Sequence, residues 1–172
     1  PTLIAVELTG AVGPAGAGVG NAVVQNGITI GAVTTAPTTG TRTVDRIESQ
    51  VLGNKVRLTY KLGYAAGNAG NGHYLLSLPT GMQFNQTYNP VTTSAEWTGD
   101  VHTQGIYNIP ASGGIVIPGG WSNQIMVVPY DATRFRVLLT YNGQQSQFYY
   151  WGSGFYAAST NTSLNIQFEI WK

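Results

Sequence analysis

Ser163-Leu-Asn-Ile-Gln-Phe-Glu-Ile-Trp171 alternates strictly between apolar and polar or amphipathic residues. Leu164, Ile166, Phe168 and Ile170 fall on one face, and Asn165, Gln167, Glu169 and Trp171 on the other. That is the period of a half-buried antiparallel strand. A strand this apolar is expected in the middle of a sheet, with earlier strands arranged around it. Just upstream, Gln147-Phe-Tyr-Tyr-Trp-Gly-Ser-Gly-Phe-Tyr156 crowds aromatic rings around a Gly-Ser-Gly bend.

Working outward, the same pattern recurs. Lys55-Val-Arg-Leu-Thr-Tyr-Lys-Leu62 puts Val56, Leu58, Tyr60 and Leu62 inward, and Lys55, Arg57, Thr59 and Lys61 outward. Gly53-Asn54 before it suits a tight hairpin with a strand over 43–51, and Asn142-Gly143 signals another. Further strands are expected at 2–8, 74–78, 82–84, 95–97, 105–109, 115–118, 124–128, 134–141 and 147–151. No eleven-residue window has helical periodicity with caps. Strand and turn signals every eight to twelve residues predict an all-β fold, an antiparallel β-sandwich of the jelly-roll type.

Composition narrows the function. Only 9% of the 172 residues are charged and the formal net charge is +1, where soluble domains average about 25% charged. Nucleic-acid binding needs clustered cations. Arg42, Arg46, Lys55, Arg57 and Lys61 do cluster, but Asp45 and Glu48 interrupt them, so they read as a solvated strand face. With no cysteine, stability must come from the core or from subunit contacts. The apolar runs fall far short of the roughly twenty residues of a membrane span, and a chain opening at Pro1 reads as part of something longer. Residues 1–41 are expected to be an N-terminal strand and a Gly/Thr-rich neck or linker, and 42–172 the head.

Within that neck, Leu8-Thr9-Gly10-Ala11-Val12 followed by Gly16-Ala17-Gly18 resembles the LTG-x-V-x-G-x-G-x-G units of fibre and surface proteins of phages and large DNA viruses. It departs from them at Pro14, where the units have Gly. The stretch from Val51 to Phe84, with its paired strands closed by Leu78-Pro79-Thr80-Gly81, is similar in texture to viral fibre heads such as the attachment proteins of chlorella viruses. The resemblance implies a homotrimeric, non-enzymatic head on the virion surface that binds a host glycan or protein receptor. It supplies no catalytic residues.

The chemistry-bearing residues agree with a non-enzyme. Asp100-Val-His102, with Glu96 nearby, is the closest approach to a metal corner or a carboxylate pair, and it reads as turn residues. Asp45 and Glu48 are three apart on a strand and face opposite sides. No serine sits in a Gly-x-Ser-x-Gly elbow, and the Gly16–Gly20 run lacks a phosphate-loop Lys. No cofactor, metal or membrane insertion is expected. The candidate ligand-contacting residues are aromatic: Trp97, Trp121, Tyr149, Tyr150, Trp151 and Tyr156. Strand alternation sends about half of the 149–156 rings outward, where they would meet a second subunit or a sugar; otherwise they cover the core. Two other readings stay open: a minor capsid or penton-like coat protein, and a C1q/TNF-like adhesion module.

Overall fold

The computed structural model describes residues 21–65, 70–88, 109–117, 120–122, 125–140, 148–152 and 161–172. These form eleven strands and, among the described residues, no helix. They are β1 (Val23–Asn26), β2 (Ile30–Ala32), β3 (Arg42–Leu52), β4 (Lys55–Ala65), β5 (Tyr74–Ser77), β6 (Ile109–Ile117), β7 (Gly120–Ser122), β8 (Ile125–Pro129), β9 (Arg134–Thr140), β10 (Phe148–Tyr150) and β11 (Asn161–Trp171). The fold is all-β and antiparallel, as the alternation predicts.

Hydrogen bonding runs along one path, β1-β3-β4-β11-β6-β8-β9-β5-β2, with β7 beside β6 and β10 beside β9. β11 lies centrally, between β4 and β6. The path must curl, because β1 and β2 sit at its two ends but are consecutive in sequence. The step from Asn26 to Ile30 spans at most about 14 Å, so the ends of the sheet approach each other there. Ile28 lies in that step and is 1% exposed. Its N–H donates to Asp45 Oδ1 (2.6 Å), its carbonyl accepts from Arg42 Nη1 (2.8 Å), and Arg42 Nη1 also donates to Asp45 Oδ2 (2.6 Å). One ion pair thus fixes both backbone groups of the crossing residue, which would otherwise be buried without partners.

Inside the curl is the core. The inward residues named from the alternation, Val56, Leu58, Tyr60 and Leu62 on β4 and Leu164, Ile166, Phe168 and Ile170 on β11, are all buried. Phe135 of β9 meets them from the other half of the path. Its ring lies 5.2 Å from Tyr60 and 5.1 Å from Phe168, both edge-on, a geometry favoured by the ring quadrupoles. The Tyr60 hydroxyl donates to the Ser77 carbonyl (2.8 Å), and burial pushes its phenol far above the ordinary range. β8 and β9 are buried on both faces, since Val128 and Leu138 form a second cluster with Tyr150 on the outside. Arg136 in that layer is 2% exposed. Its guanidinium lies 4.3 Å from the Tyr150 ring and 5.4 Å from that of Tyr130, so π-faces replace part of its lost hydration.

The β3–β4 hairpin turns at Gly53-Asn54 with Gly53 at φ 65°, as expected. Other expectations are corrected. Met82–Phe84 is not a strand: a turn closed by Met82 N–H donating to the Pro79 carbonyl carries Phe84 into the core, where its N–H bonds the Ala132 carbonyl. Three alternating residues imitate a strand when one buried ring anchors a loop. Residues 23–32, assigned no strand from sequence, supply β1 and β2. The strand expected at 115–118 begins earlier, since β6 runs from Ile109 through Gly113 at φ 114° to Ile117; of the strand expected at 105–109 only Ile109 lies among the described residues. The expected strands at 2–8 and 95–97, and the Asn142-Gly143 turn, lie outside the described residues.

Candidate functional site

Outward-facing side chains of β4, β11 and β6 build a charged surface feature. The β4–β11 register places Arg57 opposite Glu169 and Lys55 opposite Trp171, and directly opposed residues share a face. Arg57 Nε and Nη2 both donate to Glu169 Oε1, at 3.2 and 2.9 Å. Lys55 Nζ lies 3.8 Å from Glu169 Oε2 and 4.7 Å from the centre of the Trp171 ring.

A second ring is brought to Trp171 by the segment after β5. Asn85 Nδ2 donates to the Lys172 carbonyl (2.6 Å), while Asn85 Oδ1 accepts the Thr87 N–H (3.2 Å). That side-chain turn sets Tyr88, 59% exposed, against Trp171 with ring centres 5.1 Å apart.

Beside this pair the sheet parts. β6 pairs with β11 only from Ala111 to Ile115 and then leans toward β8, while β11 runs on to Trp171. Pro110, which has no N–H to give a ladder, sits where the two strands separate. The result is an open groove of about 600 Å³ lined by Lys55, Arg57, Pro110, Ser112, Gln167 and Glu169. It has cationic donors, one carboxylate and neutral polar groups, and the Trp171–Tyr88 pair adjoins it through Lys55. Among the described residues no three His, Cys, Asp or Glu side chains gather as metal ligands.

Further along the same face Glu48 bridges Arg46 and Lys61. The Lys61 hydrogen bond, helped by Arg46, holds the Glu48 carboxyl below its ordinary value against the effect of burial. At the β8–β9 turn burial opposes ionisation of Asp131, but the Thr133 and Arg134 N–H groups and the Arg134 guanidinium outweigh it, so Asp131 is lowered too. Depressed carboxyl pKa values contribute stability that is present above the unfolded values, 4.5 and 3.8, and lost as pH falls through the folded ones. Thermal midpoints are therefore expected to hold level from neutral pH to about 5 and to fall below about 4. Glu48→Gln with Asp131→Asn should flatten that fall, and a fall left unchanged would remove these two groups from the explanation.

Of the candidates named from sequence, Trp97 and Tyr156 lie outside the described residues, as do Glu96, Asp100 and His102. Trp121 is the middle residue of β7, opposite Val116. Tyr149 is half-buried opposite Leu139. Tyr150 and Trp151 are 4% and 1% exposed, which corrects the expectation of exposed flat rings at those two positions. Tyr150 stacks on His73 at 4.3 Å, and Trp151 meets Tyr74 edge-on at 4.9 Å. Lys55, Arg57, Gln167, Glu169 and Trp171 are legible in the sequence as outward-facing, whereas Pro110 and Ser112 fall between two expected strands, and nothing local shows that Lys55 and Trp171 meet. Tyr88 carries no periodic signal at all.

No family model, curated protein or solved structure matches this chain significantly.

Proposed function

We propose that this chain is the non-enzymatic head domain of a virion-surface fibre or spike, attaching the particle to a host-surface glycan. The observation that carries the reading is the groove between β11 and β6, with Lys55, Arg57, Gln167 and Glu169 along its walls and the Trp171–Tyr88 pair adjoining it through Lys55. Sugars are held by an apolar ring face on one side and hydrogen-bonding groups on the other. The low charge and Gly-rich leading segment of the sequence add support. In this proposal β1-β3-β4-β11-β6 and β8-β9-β5-β2 are the two walls of a jelly roll, supported by the contacts of Phe135 with Tyr60 and Phe168.

The test is a glycan array probed with purified protein, wild type and Trp171→Ala. Wild type is expected to bind a defined subset of glycans, and the variant to lose about tenfold or more in affinity with its thermal midpoint little changed. A protein that binds no glycan overturns the attachment reading.

A coat-protein reading is favoured by Val23 and Val24, 64% and 51% exposed on terminal strand β1, an edge suited to covering by a neighbour. A trimeric head should scatter light at three times the 18.3 kDa chain mass. A coat subunit should be monomeric alone and bind no glycan.

A further inference from the structure

We infer that the groove selects a saccharide unit bearing a carboxylate, with Arg57 and Lys55 as the anion receptor and the Tyr88–Trp171 pair as the aromatic surface beside it. This rests on the glycan-attachment reading and narrows its ligand class.

Charge is the first ground. The outward faces of β3, β4 and β11 carry four cations, Arg46, Lys55, Arg57 and Lys61, against two carboxylates, Glu48 and Glu169. Two positive charges remain on this one face, in a chain whose formal net charge is +1. At the groove itself Lys55 and Arg57 share a single carboxylate.

Geometry is the second ground. Glu169 takes the Nε–Nη2 edge of the Arg57 guanidinium, so the Nη1–Nη2 edge is turned away from it. That edge is a planar fork matched to two carboxylate oxygens. Glu169 positions the guanidinium, and Lys55, held over Trp171, supplies a second cation within reach of the same anion. Ser112 on β6 and Gln167 beside it on β11 suit sugar hydroxyls. A neutral saccharide would use the rings and these two groups, but would leave one of the two cations unmatched by the single Glu169 carboxylate.

The arrangement does little for stability. The side chains of Arg57 and Lys55 are 41% and 39% exposed, and ion pairs that open to water are weak and salt-screened. Substituting them therefore changes the ligand site without unfolding the protein.

The probes are carboxylate-bearing glycans, a glucuronoside and a sialoside, each paired with its carboxyl-reduced form, titrated against the full chain. The acid forms are expected to bind at least about tenfold more tightly than the reduced forms. Arg57→Gln should erase that preference, Arg57→Lys should restore part of it, and added salt should weaken the acid form alone. Equal binding of both forms overturns the acidic-sugar inference and leaves glycan attachment standing. Binding of neither form, with no other glycan bound, overturns both. A sulfated sugar that binds as tightly as the acid forms overturns carboxylate selection in favour of general anion capture. A carboxylate preference that survives Arg57→Gln, in a variant with the wild-type melting profile, overturns the assignment of the receptor.

Discussion

Trp151→Ala is expected to destabilise the protein by about 3 to 5 kcal/mol in urea unfolding, without acting on the ligand site. The indole is 1% exposed and lies edge-on to Tyr74. Its backbone ties β9 to β5: Trp151 N–H donates to the Val137 carbonyl (2.9 Å), and the Trp151 carbonyl accepts from Tyr74 N–H (2.8 Å). Those bonds survive the substitution, so the loss is that of the ring and of the cavity it leaves. Against the roughly 5 to 15 kcal/mol that separates folded from unfolded domains, this is a large share. Trp151→Phe keeps an aromatic body, and the indole N–H has no hydrogen-bond acceptor among the described residues, so it should cost only about 1 to 2 kcal/mol. Trp171→Ala should behave in the opposite way, losing glycan affinity at little cost in stability. If Trp151→Ala kept full stability and lost binding instead, the ring would be a ligand contact.

The contrast between the two tryptophans shows which parts of the fold are legible in one sequence. Period two gave the inward and outward sides of β4 and β11 residue by residue, because side-chain direction in a strand is a local property. It also put Trp171 outside. It could not place the 147–156 aromatics. Tyr149 and Tyr150 do alternate, but β10 pairs with a strand buried on both faces, so Tyr150 on the outer side meets Val128 and Leu138 rather than water. Whether an outward residue is exposed depends on what covers that face, and this is a long-range fact.

The groove was hidden for a related reason. Lys55 and Trp171 are 116 positions apart in sequence and meet only because β11 pairs with β4 in a particular register. Tyr88 joins them through a turn made by Asn85, whose type suggests a loop but not its destination. Residues 23–32 are hard to read as strands because Gly27 and Gly31 interrupt them and Val23-Val24 breaks the alternation, so no run of period two is long enough to stand out from the linker before them. What makes them strands is the presence of two waiting edges, β3 and β5.

Gly113→Ala should cost about 3 to 5 kcal/mol, far more than the same change at Gly81. Both glycines have positive φ, 114° and 83°, where an L side chain is strained, so each substitution carries a backbone penalty of about 1 to 2 kcal/mol. At Gly81 a Cβ would meet nothing within 4 Å, and that penalty is the whole effect. At Gly113 it would press into the Asn165 carbonyl oxygen on β11, 2.9 Å from the carbonyl carbon. The obstacle is backbone, which no rotamer change relieves, so β6 must shift away from β11. The difference between the two variants, about 2 kcal/mol or more, isolates that close approach. The consequence also reaches the groove. Ser112 adjoins Gly113 and pairs with Gln167, so a displaced β6 moves one wall of the site relative to Arg57 and Glu169. Gly113→Ala protein that still folds in the cold is therefore expected to bind glycans less tightly than Gly81→Ala protein. Equal urea midpoints for the two variants would mean that β6 and β11 are not packed this closely.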